Sequence, residues 1–327
     1  MQLPISSVRQ ACFKADRSKI VKKGHHALKK NRIKMSTGDR VYLFFVYLFL
    51  LVFTMCVLYP LLYVVSCSFS SPEALIQGRV FFWPVEPGLQ GYTAVFKNNN
   101  VWMGYFNTIL YTVTGTIIGT AVTLIAAYVL SRREFPLRRL VTSFFMITMF
   151  INGGTIPTYL WLKQMHVLDT IWAIVLPGAL SVWMVVVGRT FIMSSIPEEL
   201  YEATCLDGGS YIQFFVKVIL PLAKPIIAVM ALNFALGHWN SYYSALVYLN
   251  HADKYPLQIV LRDILIQNSV DVAGMAGTDI NSQLHKQYLS ELLKYSLIIV
   301  SSLPLLVVYP FLQKYFIKGT MIGSVKG

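Results

Sequence analysis

Residues 194–225 read SSIPEELYEATCLDGGSYIQFFVKVILPLAKP, a polar, turn-bearing segment set between two long apolar runs. Ser195 and Glu198 have the spacing of a capping box, Pro197 falls in the first helical turn, and Glu198 and Glu199 suit the positive end of a helix. Leu200, Ala203 and Leu206 then share one helix face. Asp207, Gly208 and Gly209 make a turn whose glycines supply left-handed backbone. Ser210 with Gln213 has the spacing of a second capping box, opening a helix that runs towards Pro221. The expected product is a helix–turn–helix elbow. On local chemistry alone it also reads as an amphipathic interfacial link between two spans.

Working outward, charge becomes scarce. The chain of 327 residues is 55% hydrophobic and 13% charged, roughly half the charged share of a soluble domain, and its mean hydropathy is +0.56. A soluble enzyme or a disordered regulator is excluded. An apolar helix needs about 20 residues to cross the hydrocarbon core, and six runs are of that order: 41–72, which opens VYLFFVYLFLLVFTMCVLYPLLYVV, then 107–130, 140–162, 170–188, 218–249 and 295–313. Lys224 and His238 interrupt the fifth. Gly115 and Gly119 form a G-x-x-x-G pair suited to a tight helix crossing. Four cysteines, Cys12, Cys56, Cys67 and Cys205, show no C-x-x-C spacing, which argues against a disulfide framework or a zinc site. No G-x-x-x-x-G-K-[ST] run is present to cradle a nucleotide.

The basic residues give orientation. Eleven Lys and Arg lie in residues 1–40, four form the cluster Arg132, Arg133, Arg138 and Arg139, and Lys314, Lys318 and Lys326 follow the sixth run. In all, 20 fall on the amino-terminal side of the membrane against seven on the other, so the positive-inside rule places both termini in the cytoplasm. Much of the net charge of +13 is therefore topological, and nucleic acid is not needed to explain it. The tail suits contact with anionic membrane lipid at about 1 kcal/mol per basic residue. Its spread of charge and the length of the next apolar run do not fit a cleavable signal. The expected division is a basic tail 1–40, a transmembrane domain 41–318 with the elbow at 194–225 and an outer loop at 250–292, and a tail 319–327.

The elbow resembles the EAA loop of ABC importer permeases, whose pattern is E-A-A, three residues, G, nine residues, I-x-L-P. Here Glu202, Ala203 and Thr204 are followed at those spacings by Gly208 and by Val218, Ile219, Leu220 and Pro221. Thr204 replaces the second Ala and Val218 stands at the Ile position. The wider run is similar to the carbohydrate-uptake branch, in the maltose-permease-G-like group that includes lipoprotein-linked polysaccharide permeases. STGDRV (36–41), SFSSPEAL (68–75), NGGTIPTYL (152–160), HWNSYY (238–243) and YFIKGTMIGSVKG (315–327) extend the resemblance over residues 35–327.

The resemblance implies an all-α membrane protein of six transmembrane helices, a type I importer permease fold with a cytoplasmic coupling helix, in a bacterial cytoplasmic membrane. It implies a transport subunit for oligosaccharides or polysaccharide fragments, with no catalytic residue, metal or cofactor of its own. ATP and Mg would be bound by two cytoplasmic ATPase subunits. The other implied partners are a second, homologous permease forming a heterodimer and an extracytoplasmic sugar-binding protein, which the outer loop would reach. The elbow residues that would meet the ATPase are Leu200, Glu202, Ala203, Thr204, Leu206, Asp207 and Gly208. Gly323, Lys326 and Gly327 resemble a tail that inserts between ATPase subunits, and also read as a frayed terminus. A membrane glycan polymerase or transferase would need paired carboxylates or an Arg/His set at the outer face, whereas the acids here concentrate in the elbow. An ion-coupled carrier would bury Asp or Glu in its spans, and the six apolar cores lack them.

Polar residues in apolar runs mark the candidate path. Asn233 and Asn240 are seven apart and share a helix face, with Tyr243 three further on. Amides bond sugar hydroxyls and aromatic faces stack on a pyranose, which also brings in Trp239. The aromatics read equally as an interfacial belt. Asn152, within Asn152-Gly153-Gly154-Thr155, interrupts the third run, either opening backbone to a cavity or kinking packed helices. The charge count makes one prediction: a cysteine at Ser282 should react with a membrane-impermeant thiol reagent in intact cells. Labelling only after lysis would reverse the orientation.

Overall fold

The computed structural model describes residues 36–273 and 291–310, and its regular elements there are all helical. The basic tail up to residue 35, the loop segment 274–290 with Ser282, and the end of the chain from 311, with Gly323, Lys326 and Gly327, lie outside the described residues. The chain divides into two compact units, Met1–Tyr59 and Pro60–Gly327. In the first, helix α1 (Thr37–Phe69) begins where the Ser36 amide donates to Asp39 Oδ2 at 3.1 Å. Within the second unit its last turns bury Ser66, Cys67 and Ser68, and Ser66 Oγ donates to Phe82 O at 2.6 Å.

Short helices α2 (Pro72–Ile76) and α3 (Gln90–Lys97) precede α4 (Asn99–Ser131), 33 residues long and opened by an Asn98 side-chain cap. Then come α5 (Arg138–Phe150), α6 (Thr155–Gln164), α7 (Ile171–Val175), α8 (Val182–Ser195) and α9 (Glu199–Leu206). α10 (Tyr211–Leu222) carries a π-helical turn at Phe215–Ile219 and is followed by α11 (Lys224–Trp239). α12 (Tyr242–Tyr248), a 3-10 turn at Ala252–Lys254, α13 (Leu257–Ala273) and α14 (Glu291–Pro310) complete the described elements.

Among the described residues the six expected spans are not all continuous helices. Among the described residues α1, α4 and α14 are long and apolar enough to cross a membrane, while α5 with α6 and α10 with α11 are bent pairs, at 116° and 81°, that raise the number to five if each is one span. The third run breaks at Asn152, whose Oδ1 accepts the Gly154 amide at 2.9 Å. The fourth, expected at 170–188, is divided between α7 and α8 because Pro177 and Gly178 interrupt it and Ser181 caps a new 14-residue helix through the Met184 amide. The fifth run stops at Trp239 and resumes at Tyr242.

Helix α4 is the spine of the second unit. Its Gly115 and Gly119 lie against His238 and Phe234 of α11, and a Cβ on Gly119 would stand 2.7 Å from the Phe234 ring. Lower on α4, Leu124, Ala127 and Leu130 pack with Val185 and Ile192 of α8 and Met230 of α11. At the other end, Asn107 Nδ2 donates to Asp253 O (2.7 Å) and Tyr255 O (3.1 Å), Tyr111 OH donates to Lys254 O (2.8 Å), and Thr108 Oγ1 accepts the Leu257 amide (2.8 Å). These bonds seat α13, whose Leu257, Val260 and Leu261 are buried with Leu293, Leu297 and Val300 of α14. The start of α13 therefore packs into the fold. Tyr105 OH donates to Val300 O and holds α14 to α4.

One polar knot closes this end. Asp169, at φ 59°, accepts from the Asn250 and His251 amides at 2.9 and 3.2 Å and from Lys254 Nζ at 2.5 Å, with His251 Nδ1 also within 2.5 Å. Burial alone would raise its carboxyl pKa, but these hydrogen bonds hold it well below the usual range. Stabilisation from a depressed carboxylate is full above the unfolded pKa of about 4 and fades as pH falls towards the folded value.

The helix crossing makes a stability prediction. Gly119→Ala forces the Phe234 ring to move and should cost about 1–3 kcal/mol, read as a lower melting temperature in detergent. Gly237→Ala, where the added carbon meets open space beyond its own helix backbone, should melt close to wild type.

Candidate functional site

Two regions collect the residues singled out from the sequence. In the elbow, α9 ends in a Schellman turn: the Gly208 amide donates to Cys205 O (3.0 Å) and the Gly209 amide to Thr204 O (2.8 Å). Gly208 has φ +73° and open space around its α-carbon. The Ser210–Gln213 capping box is formed in both directions. The Ser195–Glu198 box is not. Ser195 is the last residue of α8, and Glu198 stands at the N-cap of α9 in helical backbone without a side-chain cap. Ile196 and Pro197 separate the two helices, so Ser195 has already been used to extend α8. Glu198 instead pairs with Arg133 Nε at 3.2 Å.

Leu200, Glu202, Ala203, Leu206, Asp207 and Gly208 are exposed and Thr204 is half-buried. Leu206 is 89% exposed and Ile212, across the turn, 74%, so the elbow turns apolar side chains outward. Its other side is clamped to the end of α4, which the sequence reading missed. Arg132 lies over the Tyr201 ring, 3.9 Å from its centroid. Tyr201 stacks on Tyr211 and meets Phe214 edge-on, and Tyr128 of α4 donates its hydroxyl to Tyr211 O at 3.1 Å. Arg189 of α8 donates from Nε to Leu130 O at 3.0 Å, satisfying a terminal carbonyl of α4. Arg132 and Arg189 were legible in the sequence only as topological charge.

The second region is a pair of adjoining cavities at the helix breaks. One, of about 650 Å³, is lined by Asn152, Thr155, Trp161, Pro177, Tyr243 and Tyr248 among others. The other, of about 540 Å³, is lined by Pro177, Asn233, His238, Asn240, Ser241 and Tyr243 among others. Pro177 and Tyr243 line both, and Tyr243 OH lies 3.2 Å from Thr155 Oγ1. Asn152, Asn233, Asn240 and Tyr243 are thus brought into one neighbourhood. Trp239 is not among the lining residues: it is buried, with its indole N–H donating to Ser301 O of α14 at 3.1 Å. His238 is buried against Gly115 and also lines the second cavity. The lining residues of both cavities carry hydroxyls, amides and rings but no carboxylate, Lys or Arg. Among the described residues no three His, Cys, Asp or Glu side chains gather to hold a metal.

This sequence and fold have counterparts. Residues 119–321 match the family described as binding-protein-dependent transport system inner membrane component. The polygalacturonan/rhamnogalacturonan transport system permease protein YtcP of Bacillus subtilis is 33% identical over 289 residues, covering 88% of this chain and 99% of the relative. Protein LplC of the same organism is 37% identical over 268 residues, covering 82% and 89%. A crystal structure of a bacterial ABC transporter that imports the acidic polysaccharide alginate superposes with a TM-score of 0.77 at 32% identity, over 86% of this chain and 99% of that one. The chain belongs to the binding-protein-dependent transport system inner membrane components, and is a permease subunit of an ABC transporter rather than an enzyme.

Proposed function

We propose that this permease imports oligosaccharides or polysaccharide fragments across a bacterial cytoplasmic membrane, both termini facing the cytoplasm, and that its elbow docks on a cytoplasmic ATPase. The observation that carries the docking reading is the elbow itself: a short helix fixed to α4 on one side and exposing Leu200, Ala203, Leu206 and Ile212 on the other. Glu202, Thr204, Asp207 and Gly208 complete that surface. A buried protein contact is the natural cover for apolar side chains on a polar cytoplasmic face. ATP and Mg belong to two ATPase subunits, with no cofactor in this chain. Gly323, Lys326 and Gly327 supply a second ATPase contact, and residues 1–40 meet the cytoplasmic face and its anionic lipid. A second, homologous permease completes the path within the 41–318 domain, and an extracytoplasmic sugar-binding protein delivers cargo to the outer loop.

The substrate class rests on cavity chemistry and on relatives. Asn152, Asn233 and Asn240 offer amides and Tyr243 a ring with a hydroxyl, a set suited to hydroxyl-rich rings. A polygalacturonan/rhamnogalacturonan permease among the relatives favours a complex glycan. ATP-driven closure of the ATPase pair would shift the elbow and switch the cavities between the two sides.

Asn240→Leu should lower uptake about fivefold, the equivalent of one hydrogen bond worth about 1 kcal/mol, with assembly intact. The measurement is uptake from a panel of oligogalacturonides and galactooligosaccharides in reconstituted vesicles. Unchanged kinetics across the panel would return Asn240 to packing. Gly208→Asp strains a left-handed backbone by about 1–2 kcal/mol and puts a carboxylate on the docking surface. The variant should insert and pair with the second permease but lose the ATPase on co-purification, or hydrolyse ATP without uptake. Full retention with full transport would defeat the docking assignment.

A further inference from the structure

The elbow is joined to its flanking helices only through breaks. α8 ends at Ser195 and Ile196 follows in extended backbone. On the other side an 81° bend separates α10 from α11. Neither connection is a straight helical rod that would carry a push from the elbow into the membrane. The side chains make a more direct link. Arg132, the first residue past α4, is 12% exposed and sits between the Tyr201 ring at 3.9 Å, the Phe214 ring at 5.4 Å and Glu134 Oε1 at 3.3 Å. Its Nε has no hydrogen-bond partner, so ring faces and one ion pair hold it. Tyr201 belongs to α9 and Phe214 to α10, so both arms of the elbow close on one guanidinium at the end of the spine helix. That helix crosses α11 at Gly115 and Gly119, the helix that supplies Asn233 and His238 to the second cavity.

The geometry points to the Arg132–Tyr201 stack as the positioning contact through which displacement of the elbow enters α4 and reaches the cavities. This rests on the reading of the elbow as the ATPase dock. Cation–π attraction grows when the pair is withdrawn from water, and lysine lacks the flat face with which a guanidinium stacks on a ring.

The test uses the assembled transporter with its partner permease and ATPase, in a background without the four native cysteines, carrying Ser244→Cys in the second cavity. Its labelling by a soluble maleimide is compared without nucleotide and with ATP trapped by vanadate. In Arg132→Gln and in Tyr201→Leu the nucleotide-dependent change in labelling rate should shrink about fivefold, with ATPase still bound and active. Tyr201→Phe keeps the ring and should restore the change, and Arg132→Lys, the milder variant, should fall between. The double variant Arg132→Gln/Tyr201→Leu should be no worse than either single one. A full labelling change in both single variants, multiplicative losses in the double, or release of the ATPase from either single variant would each overturn the inference. Leu206→Arg judges the docking reading separately: an ATPase that stays bound there counts against the dock, whatever the Arg132 variants do.

Discussion

Helices α4 and α11 approach closely where Gly115 and Gly119 leave room for the rings of His238 and Phe234. In a bilayer there is no aqueous driving force to press helices together, so packing at short range must hold them. A side chain at Gly119 would push the two axes apart. Everything arranged along α4 depends on that separation, from the bonds of Asn107, Thr108 and Tyr111 to the 253–257 backbone to the contact of Arg132 with the elbow.

Around this crossing the chain uses interrupted helices. Breaks at Asn152–Gly154, at Pro177–Ser181 and after Trp239 free backbone groups that an intact helix would satisfy, and such groups are tolerated at membrane depth where they line a cavity or are buried in protein. The two cavities lie at these breaks, and residues from all three line them. Their lining residues are rich in hydroxyls, amides and rings and include no carboxylate, Lys or Arg. The Asp169 knot and the Asn107–Tyr111 bonds fix the 250–257 segment to one end of the unit, leaving the elbow clamp at the other end of α4. Both ends of the spine are thus anchored by polar or cationic contacts, with apolar packing between.

Local chemistry made much of the elbow legible. The positive φ at Gly208 and the Ser210–Gln213 box follow from residues a few positions apart, and the EAA-like spacing carried the family. Gly115 and Gly119 announced the crossing because small residues four apart leave a groove on one helix face. The membrane character was decided by composition alone. By contrast, Ser195 looked like a cap and became the end of α8, since the same Ser-x-x-Glu spacing occurs inside a continuing helix, and only tertiary packing chooses. Trp239 looked like part of a sugar site and is a packing residue against α14, because periodicity assigns a face but not what lies opposite it. Arg132 with Tyr201, and Asp169 with Lys254, were invisible for a related reason. Each pair joins distant segments, and neither partner has a local motif that names the other. The sequence by itself determined the apolar spans, the turn chemistry and the family. The tertiary structure alone decided where helices bend, which polar residues share a cavity and which contacts bind the elbow to the spine, because these depend on surfaces meeting across the fold.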